Sequence, residues 1–482
     1  MSASRAWRGA IAAPTPVPPA FVHDLNTCVG CHACVIACAN ENRLEAGRFW
    51  RQIVTINPAR RPQVPTFHLS IACNHCLDAP CLRYCPALAI ARDPRTGAVL
   101  IDDTRCIGCH YCSWVCPYDA PRFDDARGVM QKCTLCAHRL VEGLEPACVS
   151  LCPTGALRLA GHRDESDPDV AGFPRFGIRP AIRLLPLAGR QPIEQAVEAT
   201  SLLPGAVAPA PAGEPPPKIA LRTEWSLAAF TLVAIVLVGL VVGAALGGPR
   251  PPAWALAAAG TGAMALSTHH LGRKARAWRA VLNWRGSWLS REVLTYPLFL
   301  VLAVAWVAWT PGSVALGWAA AVAGLACLVS VDRVYAVMAR GRRAALDGAA
   351  ATGAAAWLAG VLAGQPWLWL PAGTARLVAA LARARAGTDR SWLGTAPALA
   401  VRLALGLGVP VFLLASGATG APLAVFCATI GEALDRAGFY QALDVVTPRA
   451  AAVRDLQASL ATGEPPRTGR TLTAAFEPGA GP

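Results

Sequence analysis

Sixteen of the eighteen cysteines in this 482-residue chain lie between Cys28 and Cys152, and they fall into four sets of four. The tightest set, CIGCHYCSWVCP, holds Cys106, Cys109, Cys112 and Cys116, with a proline closing the run. CVGCHACVIAC repeats that spacing with Cys28, Cys31, Cys34 and Cys38, followed by Ala39 in place of the proline. CNHCLDAPCLRYCP widens one gap around Cys73, Cys76, Cys81 and Cys85. The last set stretches a gap further, with Cys133 and Cys136, then Cys148, then Cys152 before Pro153. This is an internal repeat, and any fold the chain adopts has to gather these thiols.

Three chemistries compete for such a pattern. Disulfide scaffolds of this density belong to short secreted chains, whereas the start MSASRAWRGAIAAPTPVPPAF shows neither an apolar export core nor a twin arginine. Structural zinc uses two C-x2-C pairs separated by a longer loop. C-x2-C-x2-C-x3-C-P is instead the bacterial ferredoxin run, in which three thiolates hold one cluster and the fourth reaches a neighbouring one. The runs therefore work in pairs, and four sets suffice for four [4Fe-4S] clusters. Every ligand position is Cys, so no three-iron cluster is expected. His32, His75, His110 and His138, with Trp114 and Tyr84, read as packing and tuning residues around completed sulfur ligation.

After position 220 the composition changes to Ala, Leu, Val, Gly and Trp in long stretches with little charge, as expected for segments solvated by lipid. Eight apolar segments are expected, over 225–246, 252–271, 293–310, 313–331, 346–364, 366–385, 397–416 and 418–434. The formal charge of +14 does not point to nucleic acid, because the arginines sit between apolar stretches and form no basic face interleaved with aromatics. The expected organisation is a disordered lead over 1–20, a four-cluster iron–sulfur domain over 21–160, a Pro/Gly/Ala-rich linker over 161–218, a membrane anchor over 219–448 and a disordered tail over 449–482.

Electrons brought to a membrane bundle meet haem or quinone. Haem b takes axial histidines from different helices, and this half contains only the adjacent His269 and His270, so no haem is expected. A quinone needs an apolar slot with a few polar groups near the boundary. These cluster in STHHLGRKARAWRAVLNWRGSWLSREVL, residues 267–294. Arg376 and Arg402 are further candidates, and Cys327 and Cys427 read as small core residues.

The four runs, the second with its wider gap and the fourth with its insertion, resemble the iron–sulfur subunit of the dimethyl sulfoxide reductase family of molybdoenzymes. Stretch 267–294, TEWSLAAFTL at 223–232 and GEALDRAGFY at 431–440 resemble that family's membrane-anchor subunit, so the chain looks like the two fused. The resemblance implies that the first run pairs with the fourth and the second with the third. It groups Cys28, Cys31 and Cys34 with Cys152, and Cys133, Cys136 and Cys148 with Cys38. It also groups Cys73, Cys76 and Cys81 with Cys116, and Cys106, Cys109 and Cys112 with Cys85. It implies quinol-binding roles for His270, in HLG, and Glu292, in SREV, with Lys274 standing where the family has proline. A histidine and a carboxylate there suit proton exchange with a quinone, although Glu292 also reads as an acid stabilised at a helix start.

The expected fold is multidomain: an N-terminal α+β double-ferredoxin-like domain with four [4Fe-4S] clusters and a C-terminal all-α membrane bundle of about eight transmembrane helices. The expected function is electron relay between a separate molybdopterin catalytic subunit and the quinone pool. A cytoplasm-facing sulfite-oxidising complex and a stand-alone membrane ferredoxin are the alternatives; a proton pump ranks lower because few acids fall in the apolar segments. Loops after the second, fourth and sixth segments carry Arg273, Lys274, Arg276, Arg279, Arg285 and Arg291, then Arg340, Arg342 and Arg343, then Arg383, Arg385 and Arg390. Opposite loops are almost free of basic residues, so the positive-inside rule puts both termini, and the iron–sulfur domain, on the cytoplasmic side of a bacterial inner membrane.

Overall fold

The computed structural model describes residues 19–61, 64–161, 168–188, 218–338, 350–385, 395–416, 421–443, 445, 447–464 and 466–468. Its N-terminal half is built on short strands: β1 (Ala20–Asp24), β2 (Gln52–Ile56), β3 (Phe67–Ile71), β4 (Ile90–Arg92), β5 (Val99–Ile101), β6 (Arg122–Asp124), β7 (Val129–Gln131), β8 (Leu157–Ala160) and β9 (Ile182–Leu185). Between them stand α1 (Ala33–Glu41), α2 (Pro80–Arg83), α3 (Tyr111–Trp114), α4 (Ala137–Val141) and α5 (Ala147–Ser150), each starting inside a cysteine run. This is an α+β domain, as expected.

The strand pairing draws the runs together. β1 enters the first run and β8 leaves the fourth; they pair antiparallel, Phe21 opposite Leu159, with β9 parallel on the other edge of β1. β4 leaves the second run and β5 enters the third, and the two form a hairpin with Ile90 opposite Ile101. The turn chemistry explains that hairpin. Asp93 accepts from the Thr96 amide and hydroxyl, and Gly97 takes a left-handed φ of 70° that favours glycine.

The domain extends beyond its expected end. β9 and residues 168–188 complete it, with Phe173 stacked on Tyr118 at 5.0 Å, so the expected linker over 161–218 begins inside folded structure. Residues 189–217, half of that linker, lie outside the described residues. The expected disordered tail instead opens with a helix, Pro448–Thr462, whose Asp455 accepts from the Gly172 amide at 2.8 Å. Thr447 caps it by accepting from the Ala450 amide, a start signal the apolar pattern could not reveal.

The C-terminal half is helical: α6 (Leu221–Ala245), α7 (Ala253–His269), α8 (Trp288–Trp309), α9 (Val314–Met338), α10 (Ala350–Ala363), α11 (Pro366–Arg385), α12 (Ala396–Ala415, with a π turn at Ala404–Gly408), α13 (Ala421–Ala442) and α14, the Pro448–Thr462 helix. Helices occupy the eight expected stretches, but among the described residues four are long and apolar enough to cross a membrane: Leu221–Ala245, Trp288–Trp309, Val314–Val337 and Ala396–Ala415. The others fall short for visible reasons. α7 has 17 residues and α10 has 14; α11 carries Arg376, Arg383 and Arg385, and α13 carries Glu432, Asp435 and Arg436.

Small residues let these helices approach one another, as in membrane bundles. Gly239 and Gly243 of α6 lie against Leu358 and Leu362 of α10, where a Cβ would meet them at 2.9 Å. Asp332 of α9 is buried yet satisfied, because it accepts from the Ala351 and Thr352 amides at the start of α10. Large apolar side chains such as Trp254, Trp309, Val314 and Phe412 face outward, which suits a lipid surface.

Candidate metal centres and their membrane junction

One backbone feature recurs in all four runs. The residue just before the second cysteine is left-handed each time: Gly30 (φ 69°), His75 (φ 44°), Gly108 (φ 67°) and Leu135 (φ 58°). That twist turns its amide back onto the first cysteine of the run. The His75, Gly108 and Leu135 amides point at the sulfurs of Cys73, Cys106 and Cys133 at 3.5, 3.4 and 3.3 Å. The last cysteines are treated alike, with the Ala89 amide 3.3 Å from Cys85 Sγ and the Leu157 amide 3.4 Å from Cys152 Sγ. Amides aimed at sulfur stabilise the thiolate form that a metal requires.

The tertiary structure then mixes the runs. Cys106, Cys109, Cys112 and Cys85 line one cavity, together with Ile90, Ile107 and Met130. Cys73, Cys76, Cys81 and Cys116 line another. In the remaining pair, Cys28 lies within electrostatic reach of Cys34, Cys152 and Cys31, and Cys38 within reach of Cys148, Cys136 and Cys34. Cys133 packs in one small cluster with Cys73 and Cys116, so the two halves of the domain adjoin there.

These donors fit clusters in their chemistry. Among the described residues no three His, Cys, Asp or Glu side chains converge closely enough to grip one ion; eight of the sulfurs instead ring two cavities, four to each. Burial pushes the Cys38 and Cys81 thiols up to about 12 and the Cys85 thiol up to about 11, so bound metal has to displace their protons. Of the four histidines, His75 is buried with its Nδ1 accepting from the Val99 amide at 3.0 Å, and His138 bonds Glu41 Oε1 at 2.8 Å. His110 packs on Phe123, ring centres 4.3 Å apart.

The segment between α7 and α8 lies directly on the third run. The Gly272 and Arg273 amides donate to the Gly108 and Ile107 carbonyls at 3.3 and 3.1 Å. Arg276 Nη1 donates to the Asp103 and Cys106 carbonyls, and Arg273 Nε to the Arg127 carbonyl. Asn283 holds the second run, its Nδ2 reaching the Arg83 and Cys85 carbonyls at 3.0 Å. Tyr111, between two of the cysteines, is buried with its hydroxyl donating to the Val334 carbonyl of α9 at 3.4 Å.

His270 ends α7, and its buried Nδ1 finds no hydrogen-bond partner. Glu292 sits in the first turns of α8 and is 9% exposed. The two share no hydrogen bond or ion pair among the described residues. They approach the third run at consecutive positions, His270 within electrostatic reach of His110 and Glu292 within reach of Tyr111. Ser287, not Glu292, caps α8 by accepting from the Ser290 amide at 3.4 Å. Arg376 and Arg402 meet carboxylates of α13. Arg376 pairs with Glu432 and Asp435 at 2.7 and 2.9 Å, Arg402 with Asp435 at 2.6 Å, and Arg436 with Glu432 at 3.0 Å. Sequence reasoning missed the buried cations Arg51 and Lys132, which carry no motif.

Comparison with known proteins agrees with this geometry. The family model for a 4Fe-4S dicluster domain matches residues 64–162. One subunit of the sulfite dehydrogenase of Allochromatium vinosum is 37% identical over 198 residues, 35% of this chain and 82% of the relative. The thiosulfate reductase electron transfer subunit of Salmonella typhi is 41% identical over 151 residues, 30% of this chain and 77% of the relative. One chain of the anaerobic dimethyl sulfoxide reductase of Escherichia coli is 37% identical over 145 residues, 28% of this chain and 70% of the relative.

Proposed function

Because this protein belongs to the family of iron–sulfur subunits of dimethyl sulfoxide reductase-type molybdoenzymes, we propose that it relays electrons between a separate molybdopterin subunit and the membrane quinone pool. Four [4Fe-4S] clusters would be held by Cys28, Cys31, Cys34 and Cys152; by Cys133, Cys136, Cys148 and Cys38; by Cys73, Cys76, Cys81 and Cys116; and by Cys106, Cys109, Cys112 and Cys85. Bound there, the clusters supply one-electron carriers. The two cavities shared between the second and third runs support the last two of these sets.

The observation that carries the quinone assignment is the seating of residues 271–286 on the third and second runs through backbone hydrogen bonds. It puts His270 and Glu292 at the end of the domain that faces the bundle. A quinol there gives up two protons as its two electrons leave, and the His270 imidazole and the Glu292 carboxylate are the two groups placed to accept them. The opposite end suits the catalytic partner: Cys31 is exposed, and Val29, Ile36 and Leu151 around the first and last runs are exposed apolar side chains.

In this reading the chain crosses a bacterial inner membrane eight times, with the shorter helices completing the bundle, and its iron–sulfur domain faces the cytoplasm. The basic loops support that orientation, although Arg273 and Arg276 also dock the domain, and Arg340, Arg342, Arg343 and Arg390 lie outside the described residues. The match to a sulfite dehydrogenase subunit over 82% of its length favours a second reading of the substrate, the same relay in a sulfite-oxidising complex. Iron analysis of the full chain purified anaerobically tests the relay. Four clusters correspond to about sixteen irons per chain, and a count near eight would remove two of the sets.

A further inference from the structure

Two cations are buried among the cysteine sets without a carboxylate. Arg51 is 1% exposed and Lys132 is 3% exposed. Arg51 Nη1 donates to Ser70 Oγ at 2.9 Å and to the Ser70 carbonyl at 3.3 Å, and Ser70 Oγ lies 3.4 Å from Cys34 Sγ. The Nε and Nη2 of Arg51 have no hydrogen-bond partner. Lys132 Nζ donates to the Val99 and Cys133 carbonyls.

An unneutralised buried cation is strongly disfavoured, so something anionic has to face each one. Arg51 reaches Cys34 through Ser70, with Cys148, Cys133 and Cys38 within electrostatic reach, and as metal-bound thiolates these would supply the negative charge. Lys132 precedes Cys133 in the chain and bonds its carbonyl, with Cys73 and Cys81 within electrostatic reach. Arg51 therefore stands between the first and fourth runs, and Lys132 between the fourth and second.

We propose that Arg51 and Lys132 set reduction potentials: each fixed positive charge favours the reduced, more negative state of the sulfur-ligated groups beside it. This rests on the cluster reading above, and the two fail differently. In a low-dielectric interior a unit charge at close range has a large effect, and it acts without any proton transfer.

The test is an electron paramagnetic resonance redox titration of the anaerobically purified full chain, with iron counted for every variant. Lys132→Met and Arg51→Gln remove the charges; Lys132→Arg and Arg51→Lys keep them. At fixed potential, each neutral variant is expected to shift the oxidised-to-reduced ratio of at least one centre about tenfold toward oxidised, a midpoint lowered by about 59 mV for one electron. The charge-keeping variants should titrate like the parent. The proposal is overturned if every neutral variant that retains its iron titrates like the parent, or if neither neutral variant retains iron, since both cations are then structural. A parent chain that binds no iron would instead sink the cluster reading itself.

Discussion

Gly272 and Gly108 meet backbone to backbone, the Gly272 amide donating to the Gly108 carbonyl at 3.3 Å, with Gly128 packed against both. Gly108 and Gly128 are left-handed, at φ 67° and 61°, and neither could carry a side chain at this approach. A Cβ on Gly128 would stand 2.6 Å from the Gly272 carbonyl oxygen. At this point the seam between the cysteine-rich domain and the helical bundle is bare peptide, and it runs through a cysteine run.

Gly272→Ala should open that seam. Its Cβ would fall 2.7 Å from the Gly128 carbonyl carbon and 2.9 Å from the Phe123 ring, overpacking that costs about 1–3 kcal/mol. Hydrogen exchange at the Gly272 and Arg273 amides should accelerate, with iron content unchanged. Gly353→Ala, where nothing lies within 4 Å, is the control. Equal protection in all three proteins would mean that the seam yields without undocking.

Glu41 ties the first run to the fourth through His138 Nε2 at 2.8 Å and Arg139 Nη1 at 2.9 Å. The His138 hydrogen bond, then Arg139, hold its carboxyl below the ordinary value. For a depressed carboxylate the stabilisation is present above the unfolded pKa and disappears as pH falls through the folded one. The pair is exposed, so its worth is at most about 1 kcal/mol. Glu41→Gln should therefore lower the thermal midpoint slightly at neutral pH and match the parent once the pH drops below the native Glu41 pKa. A difference that grew on acidification would contradict this assignment.

Much of the candidate site is legible in the sequence because the cysteine spacing encodes local geometry. The left-handed position before the second cysteine is visible where glycine occupies it, at Gly30 and Gly108. It is invisible at His75 and Leu135, which adopt the same backbone under tertiary constraint. Arg51 and Lys132 escaped notice because a lone cation in a strand or loop reads as solvated until burial is known. The helical half was legible as apolar stretches, but composition alone does not separate α13, with Glu432, Asp435 and Arg436, from a simple span. Arg436 pairs with Glu432 one turn away, but Glu432 and Asp435 also meet Arg376 and Arg402 from other helices, which no local pattern reveals. Arg273 and Arg276 show a related confusion, since a basic loop reads as a topology signal and here also docks a domain.

The Arg376, Glu432, Asp435 and Arg402 network should behave as a mutually dependent unit. Glu432 is 3% exposed and pairs with both Arg376 and Arg436. Arg376→Met leaves buried carboxylates short of a partner, which costs about 3–5 kcal/mol, and should sharply reduce folded protein recovered from membranes. Adding Glu432→Gln to it should restore part of the loss, as coupled neighbours do. Strictly additive losses in the double variant would show that the ion pairs do not act together.

The decisive prediction for the quinone assignment concerns His270 and Glu292, which approach consecutive residues of the third run, His110 and Tyr111. If they accept the two protons of a quinol, His270→Gln and Glu292→Gln should each slow quinol-dependent reduction of the iron–sulfur signal about 10²–10⁴-fold. Dithionite needs no proton acceptor in the bundle, so it should reduce the parent and both variants to the same extent. Because Glu292 does not cap α8, a role reserved for Ser287, Glu292→Gln should also leave the thermal midpoint close to that of the parent. A slow dithionite reaction would indicate damaged sulfur ligation. Parent-like rates with quinol in both variants would show that the quinone is held elsewhere in the bundle.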